Sequence, residues 1–138
     1  MVSFNWNNGG SMTPKKMLKI ISELGTSVED NGHVVAFQFQ GVPITLVFDT
    51  NADRMRLISP ILKEADLEPE QLQAAMEANF HTALDARYCI ANGVVWSAFI
   101  HPLSPLTDDL MRSAIRQVAV ANLSFGADYN SGELVFQG

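Results

Sequence analysis

The sequence predicts an α+β fold: a single-domain α-βββ-α-ββ-α sandwich, with an antiparallel sheet that carries its helices mainly on one face. Three observations predict it. Hydrophobic spacing changes period in a fixed order along the chain: helical, three runs of two-residue alternation, helical, two more alternating runs, helical. The dipeptide Asn92-Gly93 separates the last two alternating runs, and both residues tolerate the positive φ of a two-residue type I′ turn. The length, 138 residues of which 47% are hydrophobic, suits one domain with a real core.

The elements follow in order. Residues 1–12 read as a flexible leader rich in Asn, Gly and Ser, in which Phe4 and Trp6 could dock on the body or on a second copy. Thr13 offers a hydroxyl cap and Pro14 the preset φ of a first helical position. Met17, Ile20, Ile21 and Leu24 then recur at helical spacing, with Lys15, Lys16, Lys19 and Glu23 on the other face. Gly25 stops the helix and Asp30-Asn31-Gly32 makes a turn. From His33 the period is two: Val35, Phe37 and Phe39 face one way, Gln38 and Gln40 the other. Gly41 permits a tight reversal. Val42, Ile44, Leu46 and Phe48 alternate with Pro43, Thr45, Val47 and Asp49. Pro43 cannot donate to a ladder, which places it at a strand start or an edge. After the turn 49–53, Met55, Leu57 and Ser59 alternate with Arg54, Arg56 and Ile58, and Pro60 is expected to close or bend that strand.

Glu68-Pro69-Glu70 opens the second helix with acids at its positive end. Its expected inner face is Leu72, Ala75, Met76, Asn79, Phe80 and Ala83. Strands over 86–91 and 94–100 flank Asn92-Gly93, and Pro102 and Pro105 end the second of them. Thr107-Asp108-Asp109 caps the third helix, whose stripe is Leu110, Met111, Ala114, Ile115, Val118 and Ala121. Gly126 ends it. The domain thus spans 13–126, and 127–138 is a polar tail with an apolar patch, Leu134-Val135-Phe136. The expected core is Ile20, Leu24, Leu46, Phe48, Leu57, Met76, Phe80, Ile115 and Val118.

Charge and cysteine content narrow the function classes. The net charge is −6, with a pI near 4.8. Nucleic-acid binding needs a basic stripe, and adsorption to anionic lipid needs basic clusters, so neither partner is expected. One cysteine, Cys89, excludes an internal disulfide. No run approaches the ~18 apolar residues of a membrane span, and Met1 to Ser11 lack a signal-peptide pattern, so the expected compartment is the cytoplasm.

The candidate chemistry has a structural explanation at each point. His33, His81 and His101 lie on different elements without ligand spacing, so no metal and no cofactor is expected. Cys89, His81 and Asn79 would supply nucleophile, base and orienter. A cysteine mid-strand in an apolar run, however, is most often a small buried hydrophobe. Asp49, Asn51 and Asp53 have a calcium-like spacing without the following glycine and distal glutamate, and turn chemistry accounts for all three. Asn79 should hydrogen-bond backbone near a strand end. Arg54 and Arg56 share one strand face, with Arg87 on another strand. They would bind a carboxylate bidentately unless paired internally with Glu64, Asp66 or Asp85.

The block Asn51-Ala52-Asp53-Arg54-Met55-Arg56-Leu57-Ile58-Ser59-Pro60-Ile61 resembles the third-strand signature of the bacterial YbjN-like family. Asn79, the segment Ala86-Arg87-Tyr88 with Asn92-Gly93-Val94-Val95-Trp96, and Pro102-Leu103 with Leu106-Thr107 extend the resemblance over about 17–122. It implies the type III secretion chaperone-like fold, usually dimeric. Chaperones of that fold are small, acidic and cytoplasmic, and bind extended segments of partner proteins. YbjN-like members carry the label of sensory transduction regulators. The resemblance carries over no catalytic residue. The third helix departs from a partner-clamping helix in its small residues Ala114, Ala119 and Ala121.

The strongest functional pointer is the sheet itself. Trp96, Val94, Ala98 and Ile100 share one strand face and Val95, Ser97 and Phe99 the other, and both are apolar. Helices on one side leave the second face to an interface. The expectation is a non-enzymatic chaperone-like or regulatory protein that binds a protein segment, as a homodimer. Its contact candidates are Trp96, Val94, Ala98, Met111, Arg54 and Arg56. The alternative is a small-molecule carrier or enzyme using a sheet-helix cavity.

Overall fold

In the computed structural model, which describes residues 12–132, the Thr13 hydroxyl accepts from the Lys16 backbone N–H at 3.2 Å. That cap and Pro14 start α1 (Pro14–Leu24), which buries Met17, Ile20 and Ile21. Phe4, Trp6 and Leu134 to Phe136 lie outside the described residues. Met12 is buried, and its backbone N–H donates to the Leu103 carbonyl at 3.3 Å.

Six strands form one antiparallel sheet: β1 (Thr26–Asp30), β2 (Val34–Phe39), β3 (Val42–Asp49), β4 (Arg54–Lys63), β5 (Arg87–Ala91) and β6 (Val94–Pro102). Their order in space is β1-β2-β3-β4-β6-β5. Two hairpin turns follow from their residues. Asn92 and Gly93 have φ of 54° and 76°, and Gln40 and Gly41 have 51° and 82°, the positive pairs that match strand twist.

β1 is an addition to the five expected strands. Its sequence, Thr-Ser-Val-Glu-Asp, has no apolar alternation, and its side chains are mostly exposed. Ser27 at φ 53° and a register shift between Thr26 and Glu29 interrupt it further. Backbone pairing to β2 defines this strand, and a hydrophobic pattern cannot reveal it.

Of the two outcomes expected at Pro60, the strand bends and does not close. β4 runs on to Lys63 through a bulge between Pro60 and Leu62, which absorbs the missing N–H. The β3–β4 ladder runs as far as Thr45 opposite Ile58, and Pro43 and Pro60 lie beyond it. The Ser59 hydroxyl donates to the Pro43 carbonyl at 2.6 Å, and Asn122 Nδ2 donates to the Pro60 carbonyl at 3.0 Å.

α3 (Asp108–Ser124), capped by Thr107, crosses the central strands on one face of the sheet. Val35, Phe37, Leu46, Met55, Leu57 and Phe99 meet Met111, Ile115 and Val118 in one buried cluster. α1 packs against α3 and over β1 and β2, and α2 (Pro69–His81) lies at the β5 edge. Arg112 on α3 pairs with Glu23 on α1 at 2.5 Å, and this bond holds the Glu23 carboxyl below its usual range.

α2 corrects the expected core. Met76 and Phe80 are 60% and 84% exposed; the buried residues of this helix are Ala75 and Ala78. Small side chains bring the α2 backbone close to β5, which turns the large apolar residues outward. Ile20, Leu46, Leu57, Ile115 and Val118 are buried as expected, and Leu24 and Phe48 are partly so. Phe80→Ala should therefore shift the stability of the dilute monomer by less than about 0.5 kcal/mol, instead of the roughly 3–5 kcal/mol of an enclosed phenylalanine. A denaturant melt at submicromolar protein measures the difference.

Candidate protein-binding surface

Strand alternation fixes what the helix-free face carries. Across it, Val34, Val47, Arg56 and Ile100 form one cross-strand row; Ala36, Thr45, Ile58, Ala98 and Arg87 form the next. Trp96 lies beyond them, opposite Cys89 on one side and Pro60 on the other. No described helix covers this side. Ile100 is 59% exposed and Val34 38%, whereas Val95, Ser97 and Phe99 on the other side of β6 are buried. The expected partition of the two faces of β6 is the one observed.

Val47, Arg56, Ile58, Trp96, Ala98 and Ile100 line a shallow depression of about 150 Å³. Trp96 Nε1 donates to the Ala91 carbonyl at 3.0 Å, which fixes the indole over the hairpin. Cys89 lies at this depression and is exposed, contrary to the expectation of a buried thiol. Its apolar surroundings push the thiol up, and the Arg56 guanidinium partly offsets them.

The remaining contact candidates separate. Arg54 and Arg56 are exposed on this face, and among the described residues neither they nor Arg87 form an ion pair. Arg87 donates through one terminal nitrogen to the Leu84 and Ala86 carbonyls. Val94 is half-buried and Ala98 buried. Met111 is fully buried in the core beneath α3. It offers no surface to a partner, because the stripe it belongs to is the one that packs on the sheet.

A second apolar surface lies on the opposite side of the sheet, at the α2 end. Leu72 and Met76 are exposed there, beside Ile90 at 41%, and Phe80, one turn further along α2, is exposed against the His81 ring. An apolar pocket of about 220 Å³ opens between α2 and β5, lined by Leu72, Ala75, Met76, Tyr88, Ile90 and Phe125 among others. Asn79 closes part of this edge: its Nδ2 donates to the Tyr88 carbonyl at 2.9 Å, and its Oδ1 accepts from the Tyr88 N–H at 2.8 Å. This is the backbone role expected of Asn79.

The other polar motifs are spent on structure. Asp49 Oδ1 accepts from the backbone of Asn51 and Ala52, and Asp53 accepts from Ser104. Among the described residues no group of three His, Cys, Asp or Glu side chains converges as a metal site, and no helix is long and apolar enough to cross a membrane.

No family model matches the chain, and a comparison with curated proteins finds no match. Solved structures do match. A chain in the HopA1-SchA chaperone-effector complex superposes with a TM-score of 0.61 at 13% identity, covering 80% of this chain and 90% of that one. A chain of the ExsC-ExsE complex gives a TM-score of 0.57 at 14% identity, with 80% and 91% covered. At such identities the likeness establishes the fold alone: this chain shares its α+β architecture with a chain of each of these two complexes.

Proposed function

We propose that this is a non-enzymatic, cytoplasmic, chaperone-like protein that binds a segment of a partner protein and works as a homodimer. The observation that carries the reading is a pair of uncovered apolar surfaces on opposite sides of one sheet. An apolar surface of this kind is where a soluble domain meets another chain. The likeness to a chain from a chaperone-effector complex supports the same reading.

The two surfaces suit two occupants. The α2 end presents a short row of large side chains, Leu72, Met76 and Phe80, which a second copy can meet across a two-fold axis. The sheet face is broader and suits a segment of a different chain. Sedimentation at micromolar concentration tests the division. The expected results are a dimer for the natural chain, a monomer for Phe80→Asp, and an intact dimer for Ile100→Asp. A dimer that Ile100→Asp dissolves would instead make the sheet face the contact between copies. A natural chain that stays monomeric would remove the dimer from the proposal.

The pocket between α2 and β5 favours a second reading, a carrier of a small apolar molecule. Its volume of about 220 Å³ falls short of the roughly 300–1,000 Å³ of typical ligand sites. It fits a partner's apolar side chain better than a whole ligand.

A further inference from the structure

The sheet face has a charge opposite to that of the molecule. The chain carries a net −6 and has nine Lys and Arg residues. Four of these, Arg54, Arg56, Lys63 and Arg87, belong to the helix-free face by register, in line with Ile58, Trp96 and Ile100. The bulge after Pro60 is what brings Lys63 to this side, opposite Val94. Acids on the same face are Asp49, opposite Arg54 with its Oδ1 bonded to its own turn, and Glu29 on the far edge strand. The three arginines make no ion pair among the described residues; Asp49 faces Arg54 across the ladder, and Arg56, Arg87 and Lys63 have no acid opposite them in register. A positive, apolar strip repels the same strip on a second copy, which disfavours a two-fold contact through this face, and attracts an acidic apolar segment.

Resting on the protein-binding reading above, we propose that the sheet face docks an acidic amphipathic segment. Its apolar side chains would cover Val47, Ile58 and Ile100, and its flanking carboxylates would pair with Arg54, Arg56 and Arg87. Arginine suits this role because its planar fork meets a carboxylate bidentately, and because its stem covers apolar surface while its charge stays in water.

The test uses short fluorescein-labelled peptides with one shared apolar pattern, flanked by Glu, by Gln or by Lys. They are titrated against the full chain carrying Trp6→Phe, which leaves Trp96 as the sole tryptophan reporter on the face. Alkylation of Cys89, exposed at the same depression, gives a second readout. The Glu peptide should bind about tenfold or more tighter than the Lys peptide at low salt. It should also shift Trp96 emission and slow Cys89 alkylation. Arg56→Gln with Arg87→Gln should erase that preference while leaving the circular dichroism unchanged; Arg54→Gln with Arg56→Gln is the second variant should the first fail to fold. Equal affinity for Glu and Lys peptides, with Trp96 still perturbed, would overturn the charge inference and leave protein binding intact. Failure of every peptide, in a chain that sediments as a monomer, would overturn both. A dimer dissolved by Ile100→Asp, with no peptide reaching Trp96, would assign the face to a second copy and overturn this inference together with the division of the two surfaces, leaving the dimer itself intact.

Discussion

Leu57→Ala should cost about 2–5 kcal/mol, at the upper end of that range. Leu57 is fully buried on β4, between Leu46 on β3 and Phe99 on β6 in register. α3 closes over the same cluster with Ile115 and Val118. Neighbours held in two ladders and a helix cannot collapse into the vacated space, so the lost contacts and the cavity both count. Against a total of roughly 5–15 kcal/mol for a domain, the variant should unfold at a much lower denaturant midpoint. Leu57→Met, which keeps the volume, should cost less than about 1.5 kcal/mol. Equal midpoints for the two variants would show that the site relaxes.

Gln117→Leu should be comparably harmful for a different reason. Gln117 is 4% exposed on α3. Its Oε1 accepts from the backbone N–H groups of Asp85 and Ala86, at 2.7 and 3.0 Å. Its Nε2 donates to Asp85 Oδ2 and to the Ser113 hydroxyl, at 3.1 and 3.0 Å. Leucine fits the space but orphans two backbone donors where the chain enters β5. The unmet Ala86 N–H, which is buried, costs about 1–3 kcal/mol, and the partly exposed Asp85 N–H less. The β5 edge should loosen first, seen as faster amide exchange at Asp85 and Ala86 than in Leu57→Met. Unchanged exchange there would show that the edge stays closed without these bonds.

The core and hairpins were legible in the sequence because their signals are local. Asn92-Gly93 needs only its own φ angles, and Thr13-Pro14 and Thr107 need only their own first turns. Val35, Phe37 and Phe39 declare a buried face by alternation alone. The face opposite the helices was legible too, because β6 is apolar on both sides. α2 was not. Its residues offer two apolar stripes, one small and one large, and the choice between them depends on how near the helix comes to β5. That distance is set by Ala75, Ala78 and the Asn79 bonds, which are tertiary facts. The sequence suggested that Arg54, Arg56 and Arg87 were candidates for pairing with Glu64, Asp66 or Asp85. The structure leaves them unpaired among the described residues, because Asp85 is drawn to Gln117 and Arg87 to carbonyls of its own loop.

The Asn79 side chain is a primary amide, whose carbonyl and one of its two N–H groups lie in one plane as in a backbone amide, and so it imitates a single peptide unit of a missing seventh strand. It fills the two outward groups of Tyr88 as that strand would, but it has no continuation. Two residues on, Ile90 turns the same pair of groups outward with nothing opposite them among the bonds described. On this side a one-residue plug, held by α2, blocks the edge. Any chain that tries to zip along β5 gains only the stub at Ile90 unless it first displaces the plug. Open-ended growth from copy to copy is blocked at the first step, and the apolar residues nearby can stay exposed without seeding fibres.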